Sequence, residues 1–226
     1  MARRDTRRQI ILAAERLFAE RGLAGVSLRE INVAAGQRNT SAAHYHFGSK
    51  EALVDAIFEF RRSEIGRRRD EILDTLEREG RVTDMRALTQ ALIEPLAAEL
   101  NGQGEDESHY LPFLAHLFLQ TPHEVADILR RHQAAETRWS TAVGVAVPQV
   151  PRELLRTRLY LMGRHVVVSL AAYQRRGRLG SEGPDFEIYL NDMLDSVAGY
   201  MAATPAASTL AMVEAHAAKA VPAKSA

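Results

Sequence analysis

The stretch from Ser27 to Leu53 reads SLREINVAAGQRNTSAAHYHFGSKEAL, and the rest of the chain is read outward from it. Ser27-Leu28-Arg29-Glu30 is a capping box. The serine oxygen accepts a helical N–H, and the glutamate three residues on reaches back to the serine. The spacing predicts a short helix with Leu28, Ile31 and Ala34 on its inner face. Gly36 closes it, because glycine tolerates the left-handed backbone of a tight helix exit. A third helix is predicted from Asn39 or Thr40 to Phe47, and Gly48-Ser49 breaks it. Upstream, Asp5 or Thr6 can cap a first helix with Gln9 completing a box, and Ile10, Ala14, Leu17 and Phe18 share one face.

Three short helices with a glycine-containing turn between the second and third make a helix-turn-helix by spacing. Such a unit lays its last helix in the DNA major groove. That helix needs an outward face of hydrogen-bonding side chains. Arg38, Asn39, Thr40, Ser41, His44, Tyr45 and His46 supply it. Of the two small residues Ala42 and Ala43, one is expected to reach a thymine methyl and the other to face inward. The charge distribution points the same way. The whole chain is formally neutral, but residues 1–50 hold nine basic side chains against four acidic ones. A basic head on an acidic body suits a polyanionic partner at one end.

Other classes find little support. Without cysteine there is no disulfide, zinc-thiolate site or cysteine nucleophile, which fits a reducing cytoplasm. His44 and His46, two apart on a helix, point to different faces and make a poor metal pair. Phosphate loops, nucleophile elbows and H-E-x-x-H are absent, so neither an enzyme nor a cofactor is expected. Glu15 interrupts the apolar run after the arginine-rich start, which makes a poor secretory signal. The uncharged run 196–213 contains Pro205 and many small residues, a weak membrane span. A soluble cytoplasmic protein is expected.

The segments Ser27–Ile31, Ala35-Gly36 and Tyr45-His46-Phe47-Gly48-Ser49-Lys50-Glu51-Ala52-Leu53 closely resemble the signature of the tetracycline-repressor (TetR) family. The resemblance covers residues 6–60. It implies an all-α dimer: an N-terminal three-helix DNA-binding unit, then a larger helical domain for ligand binding and dimerisation. It implies a transcriptional repressor on a palindromic operator, released by a small molecule. Ser27 and Lys50 then join the DNA-contacting set, Lys50 as the family's lysine at the start of the fourth helix. Counted back from Phe47, the turn carries one residue more than the family's, at Gln37-Arg38. By the same count His44 stands where the family has a phosphate-contacting tyrosine. Either His44 makes that contact or Tyr45 has taken it over.

Beyond residue 50, helical periodicity predicts a long fourth helix from Ser49 to Glu79, and others near 83–100, 108–120, 122–146, 151–176 and 185–203. This divides the chain into a DNA-binding unit (1–50), a helical body (51–203) and a tail (204–226) rich in alanine and expected to be disordered. Met162, Val166 and Leu170, and Leu190, Leu194, Val197 and Met201, form apolar stripes on two of these helices. They fit either protomer core or a four-helix dimer contact; the resemblance favours the contact. Phe60, Tyr110, Phe113, His116, Leu117, Trp139 and His165 are candidate walls of an effector pocket, aromatic and aliphatic with few polar tips. With few fixed charges on inward faces, an apolar or amphipathic effector is expected. The alternative function is a helical ligand-binding or protein-interaction module without DNA binding.

Overall fold

The computed structural model describes residues 2–39, 41–101, 108–120, 127–128, 132, 137–178 and 183–220. Among them every regular element is helical. α1 (Ala2–Arg21), α2 (Leu28–Ala34) and α3 (Ala42–Phe47) form the head. The body holds α4 (Lys50–Arg78), α5 (Met85–Ala97), α6 (Tyr110–Gln120), α7 (Thr137–Ala146), α8 (Arg152–Arg178) and α9 (Phe186–Ala202), and α10 (Ala207–Ala220) follows. The predicted loop regions 101–107 and 177–184 and the part of the predicted helix 122–146 before Thr137 lie largely outside the described residues. No described helix is long and apolar enough to cross a membrane.

Two boundaries differ from the sequence reading. α1 begins at Ala2, ahead of the expected cap at Asp5 or Thr6. The tail is not structureless, because α10 occupies 207–220. Alanine is the best helix former, and Pro205 stands before the first turn, where its missing N–H costs nothing.

α4 is the spine. Its first turn is capped by the Ser49 hydroxyl, which accepts from the Ala52 N–H at 3.2 Å. Its N-terminal half packs against α1 and its length against α5, while α6 lies on α1 and on α8. α5 also carries α9 and α7. One apolar core runs through both head and body, from Ile10, Phe18 and Ile31 through Leu53 and Ile57 to Phe113, Val166 and Leu170. The head is therefore rigidly continuous with the body rather than tethered by a linker.

Inside this core sits a buried polar knot. Glu15 of α1 is 1% exposed. Arg61 of α4 grips it with two hydrogen bonds of 2.7 Å and donates a third to Glu99 at 3.0 Å. The Ser108 hydroxyl donates to Glu99 at 2.7 Å, and the His109 N–H donates to Glu15 at 3.0 Å. Gln174 of α8 reaches the Ser108 carbonyl at 2.9 Å. Burial raises the Glu15 carboxyl above its ordinary value, against the opposing pull of Arg61. Burial also works against the Arg61 charge, but Glu15's hydrogen bonds and charge outweigh it and raise Arg61. Arg61→Met strands two buried carboxylates and is expected to cost about 3–5 kcal/mol of stability, read by chemical denaturation. A loss within experimental error would show that water replaces the guanidinium.

Candidate nucleic-acid interface

The head is built on α2. Ser27 caps it as its sequence requires: the Ser27 hydroxyl accepts from the Glu30 N–H at 3.3 Å, and the Glu30 carboxylate accepts from the Ser27 N–H at 2.8 Å. Arg21 adds a 2.9 Å ion pair to Glu30. Gly36, at φ 66°, lets the chain leave α2 with the Gly36 N–H on the Val33 carbonyl and the Gln37 N–H on the Asn32 carbonyl. This paired closure is the Schellman motif, and a Cβ-bearing residue would be strained there.

The inner face of α2 differs from its periodicity. Ile31 is buried, but Ala34 is exposed, and Asn32 takes the inward position at 1% exposure. Its carboxamide oxygen accepts the Ala43 N–H at 2.7 Å. The Ser41 side chain does not cap α3, so Asn32 caps α3 from the neighbouring helix. A polar residue at a core position was the available signal, and apolar periodicity alone passes over it.

α3 starts at Ala42, later than the predicted Asn39 or Thr40. Asn39 instead forms the turn before it, its side-chain oxygen accepting the Ser41 N–H at 2.9 Å. Both Ala42 and Ala43 are buried, so Ala42 does not present a methyl outward. The turn places Arg38, Asn39 and Ser41 on the surface, and Thr40 lies outside the described residues. His44 and Tyr45 face solvent, Tyr45 at 71% exposure. His46 is half-buried and stands edge-on to Tyr45, with ring centres 5.3 Å apart. Phe47 turns inward beneath Arg7, whose guanidinium lies 5.2 Å from its ring centre. The extra turn residue, Gln37, does not loop out; its amide donates to Gln9 of α1 and to the Ala35 carbonyl, both at 2.9 Å.

Ser27 and Lys50 line one surface hollow of about 570 Å³, between the α1–α2 loop and the start of α4. The Lys50 ammonium donates to the Leu23 carbonyl at 2.9 Å. An ammonium has three donors, so this anchor leaves others for a phosphate oxygen.

This geometry agrees with the sequence comparisons. Residues 10–57 match the model for bacterial regulatory proteins of the tetR family, and residues 90–203 match the tetracyclin repressor-like C-terminal domain. The chain belongs to the TetR family. TetR-family proteins are DNA-binding transcriptional regulators, not an enzyme family. No curated protein matches the chain by sequence. Among solved structures, a transcriptional regulator from Rhodococcus sp. Rha1 is similar over 88% of this chain and 99% of its own, at 22% identity and a TM-score of 0.57. RolR, solved with resorcinol, aligns over 90% of this chain and 96% of its own, at 19% identity and a TM-score of 0.47.

The body residues divide differently from their sequence reading. Met162, Val166, Leu170, Leu194, Val197 and Met201 are buried within the single chain, and Leu190 is half-buried. In the single chain these stripes belong to the core, with Leu190 at its edge. The outward apolar side chains of α8 and α9 are Tyr160, Leu161, Ile188 and Tyr200. Of the seven pocket candidates, Tyr110, Phe113, Leu117 and Trp139 belong to the apolar core. Tyr110 and Phe113 pack with Phe58, and Phe113 stacks on Phe18. His132, absent from the candidates, stacks on Phe58 at 4.5 Å and reaches Asp55 at 2.8 Å. Leu117 is buried and Phe60 half-buried. His116 lies against the end of α1, so close that a Cβ on Gly22 would sit 2.8 Å from its ring nitrogen. Trp139 is buried against α5, donating to the Leu88 carbonyl at 2.7 Å. His165 is exposed.

Two outcomes follow from the head. Asn32→Ala orphans a buried N–H and is expected to cost about 1–3 kcal/mol. Faster hydrogen exchange at Ala43 and weaker DNA binding should accompany that loss; protection unchanged at Ala43 would remove Asn32 as the cap. The Glu30 carboxyl is lowered from the usual 4.5 to about 2 by hydrogen bonds from Ser27 and Arg21. Its contribution to stability is complete above about pH 4.5 and lost as pH falls toward 2. An NMR titration should place its midpoint well below that of Glu30 in Ser27→Ala.

Proposed function

We propose that this regulator is a cytoplasmic homodimeric repressor that binds a palindromic operator and is released by a small molecule. The observation that carries the DNA-binding part is α3, capped from α2 by Asn32, with Tyr45 and His44 exposed on its outer side. The Tyr45 ring meets His46 edge-on and still keeps 71% of its surface exposed. Its contact area is useful against a groove wall or a sugar-phosphate edge. Arg38, Asn39 and Ser41 flank it, and Thr40 belongs to the same segment by sequence. Ser27 and Lys50 supply backbone contacts from their shared hollow. Between the candidates for the displaced family contact, Tyr45 is favoured, because its hydroxyl-bearing ring is 71% exposed.

Dimerisation is proposed through the outward faces of α8 and α9, where Tyr160, Leu161, Ile188 and Tyr200 would otherwise remain in water. Two-fold pairing presents two α3 helices to successive major-groove turns.

The test is fluorescence anisotropy with DNA flanking the regulator's own gene, at two salt concentrations. The wild type should bind with a steep salt dependence. Lys50→Ala should weaken all sequences alike and reduce the salt slope by about one. Tyr45→Ala should lower operator affinity about tenfold or more, equivalent to about 1.4 kcal/mol. Wild-type binding that ignores both sequence and salt would reject the repressor reading.

A further inference from the structure

The far end of α4 carries a groove that the DNA-binding reading leaves unused. It runs between α4, the α4–α5 turn, α5 and α7, with a volume of about 420 Å³. Leu73, Leu76, Val82, Leu88 and Val145 make its walls. Val145 is 60% exposed and Val82 37%, so apolar surface faces solvent here. Such a volume lies in the usual range for small-molecule sites, about 300–1,000 Å³.

The rim is charged with one sign in excess. Asp70, Asp74 and Glu77 follow one another along one face of α4, and all three converge on Arg138 of α7, at 3.6, 2.6 and 2.9 Å. One guanidinium cannot balance three carboxylates. Among the described residues, Arg81 is paired with Glu79 and Asp84, and Arg78 donates to the Thr75 hydroxyl. The carboxylates are more than half exposed and can be reached from outside.

We propose that this groove binds a lipophilic cation, an amine or quaternary ammonium head on an apolar tail, as the regulator's effector, which rests on the ligand-released function proposed above. The tail lies along Leu73, Leu76 and Val145. The head enters the Asp70–Asp74–Glu77 row and competes with Arg138 for it. Arg138 is the ionic tie between α7 and α4, so occupancy loosens that tie. Anions of the same shape are repelled, and neutral analogues lack the head contact.

Trp139, the only tryptophan, follows Arg138 directly and donates to the carbonyl of groove residue Leu88, so its emission reports occupancy. The full chain is titrated with octyltrimethylammonium, octyl sulfate and octanol, each below its aggregation limit, with operator affinity followed in parallel. Only the ammonium should shift Trp139 emission saturably, and it should weaken operator binding. Asp74→Asn with Glu77→Gln should weaken ammonium binding about tenfold, as should Val145→Arg. Arg138→Gln, which frees the carboxylates, should tighten it, an effect that unfolding cannot imitate. Equal response to all three compounds, or unchanged affinity in the acidic-row variant, overturns the cation site. Saturation without loss of operator affinity overturns the effector role. A wild type that fails to bind DNA before any compound is added instead rejects the repressor reading, independently of the groove.

Discussion

The grip of Arg61 on Glu15 joins the two halves of this molecule. Glu15 belongs to α1, the helix that carries the DNA-binding head, and Arg61 to α4, the spine of the body. Apolar packing between these helices is non-directional and would tolerate small slides. A bidentate guanidinium–carboxylate pair in the core would not, because a shift of an ångström breaks bonds whose partners have no water to turn to. Glu99, Ser108 and Gln174 extend the same knot to the end of α5 and to α8. Head orientation is thus set by a polar contact at the centre and by apolar area around it.

The knot was not legible in the sequence. Glu15 reads there as a charge interrupting an apolar run, and nothing local singles out Arg61; their partnership spans 46 residues and follows no local period. The head was legible because its determinants are local. A capping box, a helix-closing glycine and the Tyr45–Leu53 segment each act within a few residues. What failed there was the assumption that a core position is apolar: Asn32 is inward because α3 lacks a side-chain cap of its own.

In the body, periodicity located the helices and left open whether their apolar faces meet the protomer core or a partner. A stripe such as Met162–Val166–Leu170 shows that one side of a helix is buried, not what buries it. Here α5 and α6 cover α8 and α9 from within the chain, and the sides left outward mix Tyr160, Leu161, Ile188 and Tyr200 with polar residues. The pocket candidates were singled out by residue type, which does not tell a wall from a filler: Tyr110, Phe113, Leu117 and Trp139 are buried in the apolar core, while the open groove lies where smaller side chains of α7 meet α4.

The placement of these features along α4 suggests how an effector could be felt at DNA. Lys50 and its anchor to Leu23 lie at one end, Arg61 in the middle, and the Asp70–Asp74–Glu77 row toward the other end. At 1.5 Å per residue, Arg61 sits about 16 Å from Lys50 and about 20 Å from Asp74. A helix pinned at Arg61 and pushed at the row would pivot, moving its Lys50 end by a comparable distance in the opposite sense. Two-fold symmetry would apply that motion in both protomers, changing the separation of the recognition helices. Such a displacement releases DNA only if the effector binds the pivoted state better than the DNA-bound one; tight binding to both would move nothing. The Arg138 tie would supply that difference: the cation's head must displace Arg138 where the tie exists, and meets no such competition in a state without it.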